Sequence, residues 1–126
     1  MLSDGGDGFV ECIHQIIPKS KVLFQKVNGP YLEPTMTKYM LIGDKAVIEV
    51  ASSCGMETTD WREVMDASSL GLGELIKNLY VEERIAKFLI GVGGSAFSDL
   101  GMGCLKALGL DIETITPNAM IKHFSK

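Results

Sequence analysis

The order of elements along the chain predicts an α/β protein. Consecutive β-forming runs fill Lys21 to Val50, and from Gly71 to Leu108 the pattern reads helix, apolar strand, glycine loop, helix. The size agrees: 126 residues, 46% hydrophobic and 22% charged, suit one soluble domain with material for a core.

Phe9, Ile13, Ile16 and Ile17 recur at helical spacing, predicting a helix that Pro18 stops. Ahead of it lies the acidic glycine loop Ser3-Asp4-Gly5-Gly6-Asp7-Gly8, with Asp7 placed to cap the helix. Because α/β domains more naturally open on a strand, this beginning predicts further chain upstream. Lys21 to Val27 reads as a strand ended by Asn28-Gly29-Pro30, and Thr35 to Ile42 with Ala46 to Val50 as a hairpin turning at Gly43-Asp44. The small residues Ala51-Ser52-Ser53-Cys54-Gly55 suggest a packing corner or a ligand loop.

Leu72, Leu75, Ile76, Leu79 and Tyr80 give the clearest helix, with Ser68 or Ser69 as its cap. Phe88 to Val92 lacks alternation, as expected of a strand covered on both faces. Met102, Leu105 and Leu108 mark the buried face of another helix, which Gly109 ends; Thr116-Pro117-Asn118 opens a last one.

Composition excludes several functions. With 12 Lys+Arg against 16 Asp+Glu, the net charge of −4 provides no basic stripe for a nucleic-acid backbone. Apolar runs are too short to cross a bilayer, which takes about 20 residues, and no secretory leader is visible, so no membrane partner and a cytoplasmic location are expected. Cys12, Cys54 and Cys104 form no CxxC pair and read as free thiols, Cys12 and Cys104 as buried small hydrophobes and Cys54 as loop-borne. His14 and His123 have no ligand-spaced partners, and with Trp61 they are assigned to packing or surface; no metal-ligating residues are assigned.

The strongest chemical signal is Gly91-Val92-Gly93-Gly94-Ser95, followed by Asp99, between a strand and a helix. Glycines allow amides to converge on one point and the next helix presents its positive end, an arrangement that favours phosphate. Asp99 would suit a magnesium ion, a capping amide or a substrate hydroxyl. No lysine stands where a Walker-type loop needs it. Gly91, Gly93 and Ala96 also match GxGxxG/A, with Asp111 or Glu113 about twenty residues beyond, which keeps a dinucleotide-binding oxidoreductase as an alternative. Asp4 and Asp7 offer a second site where carboxylates accept a hydroxyl proton or hold a metal.

Four ordered segments together resemble the type I glycerate kinases: Ser3 to Gly8, Val27 to Pro34, Ala46 to Gly55, and Gly71 to Ile76 leading on to Gly91 to Gly109. The family's versions read like ADGGEGT, VTGPLGEPV, AVIEMAAASGL, YGTGELI and GIGGSATNDGGAGMLQALG. The resemblance implies a Rossmann-like parallel sheet portion beside a β-rich swivelling lobe, ATP with magnesium as cofactors, and phosphorylation of glycerate. Residue by residue it implies Asp4 and Asp99 as catalytic, and Gly5, Gly6, Gly93, Gly94 and Ser95 as substrate- or phosphate-binding.

It also marks this chain as an incomplete region, with about 20–66 as the β-rich lobe and about 67–112 as the α/β portion. The departures matter: Phe97-Ser98 replaces a Thr-Asn pair, and Leu100 replaces a glycine. Diminished or absent turnover by the isolated chain is therefore expected. The alternative is a non-catalytic ligand-binding domain, whose open sheet edges would favour a homo-oligomer.

Overall fold

A mixed four-stranded sheet organises the described residues, in the order β1-β2-β3-β4. The computed structural model describes residues 2–55 and 66–111, so Trp61, Glu113, Thr116 to Asn118 and His123 lie outside the described residues. Along the chain the elements are α1 (Phe9–Ile16), β1 (Lys21–Asn28), β2 (Pro34–Ile42), β3 (Lys45–Glu49), α2 (Val50–Cys54), α3 (Leu70–Val81), β4 (Lys87–Gly91) and α4 (Met102–Ala107). The first three strands pair antiparallel, β2 and β3 through the Gly43-Asp44 turn, where Gly43 has φ +58°. β4 then joins β3 in parallel, Glu49 facing Gly91 across the last register position. The sheet thus runs without a break from the β-rich stretch into the helix–strand–helix stretch.

Strand alternation divides the core between two faces. On one, Val27, Tyr39, Ala46 and Ile48 pack beneath Leu72, Leu75 and Leu79 of α3. On the other, Met40 and Val47 meet Val10, with Phe9 and Ile13 half-buried beside them. Glycine brings α3 close to its neighbours: a Cβ at Gly71 would run into the Asn28 carbonyl, and one at Gly73 would lie 2.7 Å from the Cα of Cys104.

Several expectations from the sequence need correction. α1 is capped by Gly8 in the left-handed region, with no hydrogen bond from Asp7. Ile16 is 76% exposed, because it sits about 120° round the helix from the buried Val10. The stretch Val50–Cys54 is a short helix, and Cys54, placed in a loop by the sequence, lies on it fully buried. Cys12 and Cys104 are half-buried rather than enclosed. Among the described residues β4 stands last in the strand order, and its Leu89 is 53% exposed rather than covered. α4 buries no residue completely; Leu105 and Leu108 remain 37% and 43% exposed. Gly109 does take the left-handed conformation expected of it, with φ +99°.

Candidate functional site

Since β1, β3 and β4 run in the same direction, their carboxyl ends at Asn28, Glu49 and Gly91 lie along one edge of the sheet. In open α/β sheets this is the edge beyond which ligands bind. Most of the residues the sequence marks for chemistry collect there.

The two glycine segments meet backbone to backbone. The Gly93 amide donates to the Gly5 carbonyl at 3.1 Å. A Cβ at Gly93 would come within 2.6 Å of the Gly6 nitrogen, so glycine is what permits the approach. Asp4 stands at the exposed rim, where its Oδ1 accepts the Gly6 amide at 2.8 Å, while Ser3 Oγ accepts the Gly5 amide at 3.2 Å. Downstream, Ala96 donates to the Cys54 carbonyl at 2.7 Å and Ser95 bridges to Gly55, tying the turn to α2. The amides of Gly5, Gly6 and Gly93 are therefore already taken up by partners within the chain. Gly94 is the member of the turn with an exposed backbone, at φ +66°.

Asp99 is engaged by four neighbouring donors. Its Oδ2 accepts the Ser69 amide and hydroxyl and the Gly103 amide, and its Oδ1 the Gly101 amide, at 2.8 to 3.0 Å. The carboxylate thus takes up the first amides of α4, and the expected presentation of that helix's positive end to an external anion does not arise. Phe97 is half-buried and packs against the core cluster to which α3 contributes.

An open hollow of about 640 Å³ flanks α1, lined by Leu2, Asp4, Asp7, Glu11, Cys12 and Gln15 among others. Three carboxylates make it unfavourable for bare phosphate, and the Gly93–Ser95 turn does not line it. Ser3 and Asp4 are common to hollow and rim. Among the described residues no group of three or more acidic, histidine or cysteine side chains forms a metal centre. No described helix is long and apolar enough to cross a membrane.

Two acids to which the sequence pattern gives no role organise this edge. Glu74 on α3 accepts both the Asn28 amide at 2.8 Å and its side-chain amide at 2.6 Å, fixing the end of β1. Glu49, fully buried at the end of β3, accepts the Val10 amide at 3.0 Å. The signal for Glu49 was a charge closing the apolar run Ala46-Val47-Ile48, an uncommon place for an unpaired acid. Nothing in the helical spacing distinguishes Glu74 from a solvated acid. The thiols of Cys54 and Cys104 are pushed up by burial, which leaves them poor nucleophiles.

Comparison with known proteins gives a consistent answer. The sequence profile of the Glycerate kinase family matches residues 1–122. A glycerate kinase of Bacillus subtilis is 34% identical over 112 residues, 86% of this chain and 29% of the relative. A glycerate 2-kinase of Escherichia coli shows the same identity and coverage. A crystal structure from Salmonella typhimurium LT2, assigned as glycerate kinase 2, superposes with a TM-score of 0.73 at 34% identity, covering 86% of this chain and 30% of that one. The chain thus spans about 30% of the length of these relatives.

Proposed function

The chain belongs to the glycerate kinase family, and on that premise we propose that it supplies part of a phosphoryl-transfer site, in which ATP donates its γ-phosphate to a hydroxyl of glycerate. The name of the Escherichia coli relative favours the 2-hydroxyl as acceptor. The observation that carries this reading is the backbone contact between Gly5-Gly6 and Gly93, which joins the two family segments at the carboxyl edge of the parallel strands.

Phosphoryl transfer asks a protein mainly for positioning and charge neutralisation. In this proposal Gly94 and Ser95 face the phosphates, Gly5, Gly6 and Gly93 shape the wall behind them, and Asp4 at the rim meets the magnesium ion or the attacking hydroxyl. Magnesium commonly binds through one or two carboxylates plus phosphate oxygens and water, a demand an exposed Asp4 meets. Asp99 fits that demand poorly, since four donors already hold its oxygens; its part is to position α3 and α4. The same fact favours a second reading, a ligand-binding domain without turnover, for the chain in isolation. The location proposed is the cytoplasm, where ATP and free thiols are at home.

Titration of the 126-residue chain with ATP and, separately, with NAD tests the proposal. Binding of ATP in preference to NAD is the expected result, and preference for NAD would overturn it. A coupled assay with ATP and glycerate separates the two readings: robust turnover by this chain alone would refute the non-catalytic one.

A further inference from the structure

α1 carries no cap of its own, since Gly8 has no side chain and Asp7 makes no capping bond. The amide at its second position, Val10, is nevertheless satisfied, by a carboxylate 39 residues away on β3. Glu49 that accepts it is 0% exposed. Its other oxygen, Oε1, has no hydrogen-bond partner, and lies 3.5 Å from the ammonium of Lys38 in an ion pair without hydrogen-bond geometry. Lys38 in turn bonds Glu11, the next residue of α1. Enclosing a carboxylate is costly, and a glutamine or an apolar side chain would ordinarily be the cheaper way to close a strand.

What Glu49 gains by its place is reach. It sits opposite Gly91 in the β3–β4 register, directly before the Gly91–Gly93 stretch on which the N-terminal loop rests. The residues immediately before its helix anchor are those of that loop, Asp4 to Gly8. Phe9 continues the arrangement, donating its amide to the Gly6 carbonyl at 3.1 Å.

We infer that Glu49 is a positioning residue: by accepting the Val10 amide from the sheet it fixes the start of α1, and through it holds Asp4, Gly5 and Gly6 against Gly93. The role for ATP follows from the phosphoryl-transfer reading above, whereas the loop-holding role can be measured without any ligand. The requirement is length and acceptor character rather than charge. Aspartate keeps the charge beside Lys38 and falls one methylene short of Val10; glutamine keeps the reach and gives up the charge.

Amide hydrogen exchange on the full chain compares the two conservative variants. In Glu49→Asp, exchange at Gly5 to Val10 rises by about tenfold or more while Leu75 and Leu79 of α3 are unchanged; in Glu49→Gln it stays within about threefold of the parent. ATP titration of the same proteins gives a weakened affinity in Glu49→Asp and a parental one in Glu49→Gln. The reverse order of the two variants, an unchanged loop in Glu49→Asp, or an equal rise in α3 would each overturn the inference. Failure of the parent chain to bind ATP would count against the nucleotide reading alone, because the exchange comparison decides the positioning role by itself.

Discussion

The carboxylate of Asp99 accepts both the backbone amide and the hydroxyl of Ser69, at 2.8 and 2.9 Å, across 30 residues of sequence. Ser69 Oγ then accepts the Cys104 amide at 2.9 Å, so one acid and one hydroxyl join the starts of α3 and α4. Hydrogen bonds to a charged acceptor are the stronger kind, and removing the acceptor strands several half-buried donors together. Asp99→Ala should therefore cost about 2–3 kcal/mol in urea unfolding, with Asp99→Asn in between, since an amide oxygen replaces only part of the set. A cost near zero would show that these donors are equally well served by water.

Leu32 and Leu100 are held at φ +65° and +54°, a region that side chains with a Cβ avoid, and both are exposed. The quoted family pattern has glycine at each position. The left-handed conformation costs an L-residue about 1–2 kcal/mol, against which glycine loses about 0.5–1 kcal/mol through the freedom of the unfolded chain. Leu32→Gly and Leu100→Gly should each raise stability by about 0.5–1 kcal/mol, read as a higher urea midpoint with an unchanged slope. Loss of stability in either would mean that the exposed leucine makes contacts outweighing its strain.

Lys38 stands between Glu11 and Glu49, and its titration sets a pH dependence. Burial is the largest single influence on its ammonium and pulls downward, but the hydrogen bond to Glu11 and the charge of Glu49 together hold it above the ordinary lysine value. For Glu11 burial is again the largest influence, upward, and the hydrogen bond and charge of Lys38, with the helix backbone, outweigh it downward. A depressed carboxylate contributes stability above its unfolded pKa that is lost as pH falls through the folded one. A raised ammonium contributes below its unfolded pKa and loses that as pH rises through the folded one. Lys38→Met should flatten both limbs, in the acid range and above the ordinary lysine pKa. At neutral pH it should cost about 2 kcal/mol, less than for a fully enclosed pair because the ammonium keeps some contact with water. Unfolding by urea across the pH range measures all three effects.

Legibility in the sequence followed range. α1, β1, the hairpin, α3 and β4 announce themselves through periodicity and turn residues, because those signals arise within a few positions of the residue they describe. The exposure of Leu89 among the described residues was hidden, because it belongs to an apolar run that reads the same on a covered face. The small residues of Val50–Cys54 lack a helical stripe, so their helix could not be told from a corner. At the site, Asp4 to Gly6 and Gly93 to Ser95 were visible as glycine-rich segments, but their mutual contact crosses most of the chain. The same distance concealed Glu49 as the cap of α1 and Glu74 as the clamp on Asn28, contacts 39 and 46 residues apart. For Asp99 the sequence offered a capping amide among its alternatives, and its geometry matches that one.

Gly93 and Gly94 are neighbours whose glycines serve different physical ends, and their alanine variants should separate contact from conformation. At Gly93 an added Cβ would meet the nitrogen and Cα of Gly6 at 2.6 and 2.9 Å, backbone atoms that cannot turn aside. Gly94 has φ +66° and its added Cβ would meet only the Ala51 Cβ at 3.7 Å, so the penalty there is conformational alone. Gly93→Ala should cost about 2–3 kcal/mol by prising the two loops apart, and Gly94→Ala about 1 kcal/mol. If the joined loops form the wall behind a phosphate, ATP affinity should fall with Gly93→Ala even under conditions where the variant is fully folded, as judged by its near-ultraviolet dichroism. Equal costs for the two variants would show that the Gly6 contact yields readily and that the N-terminal loop is not fixed through Gly93.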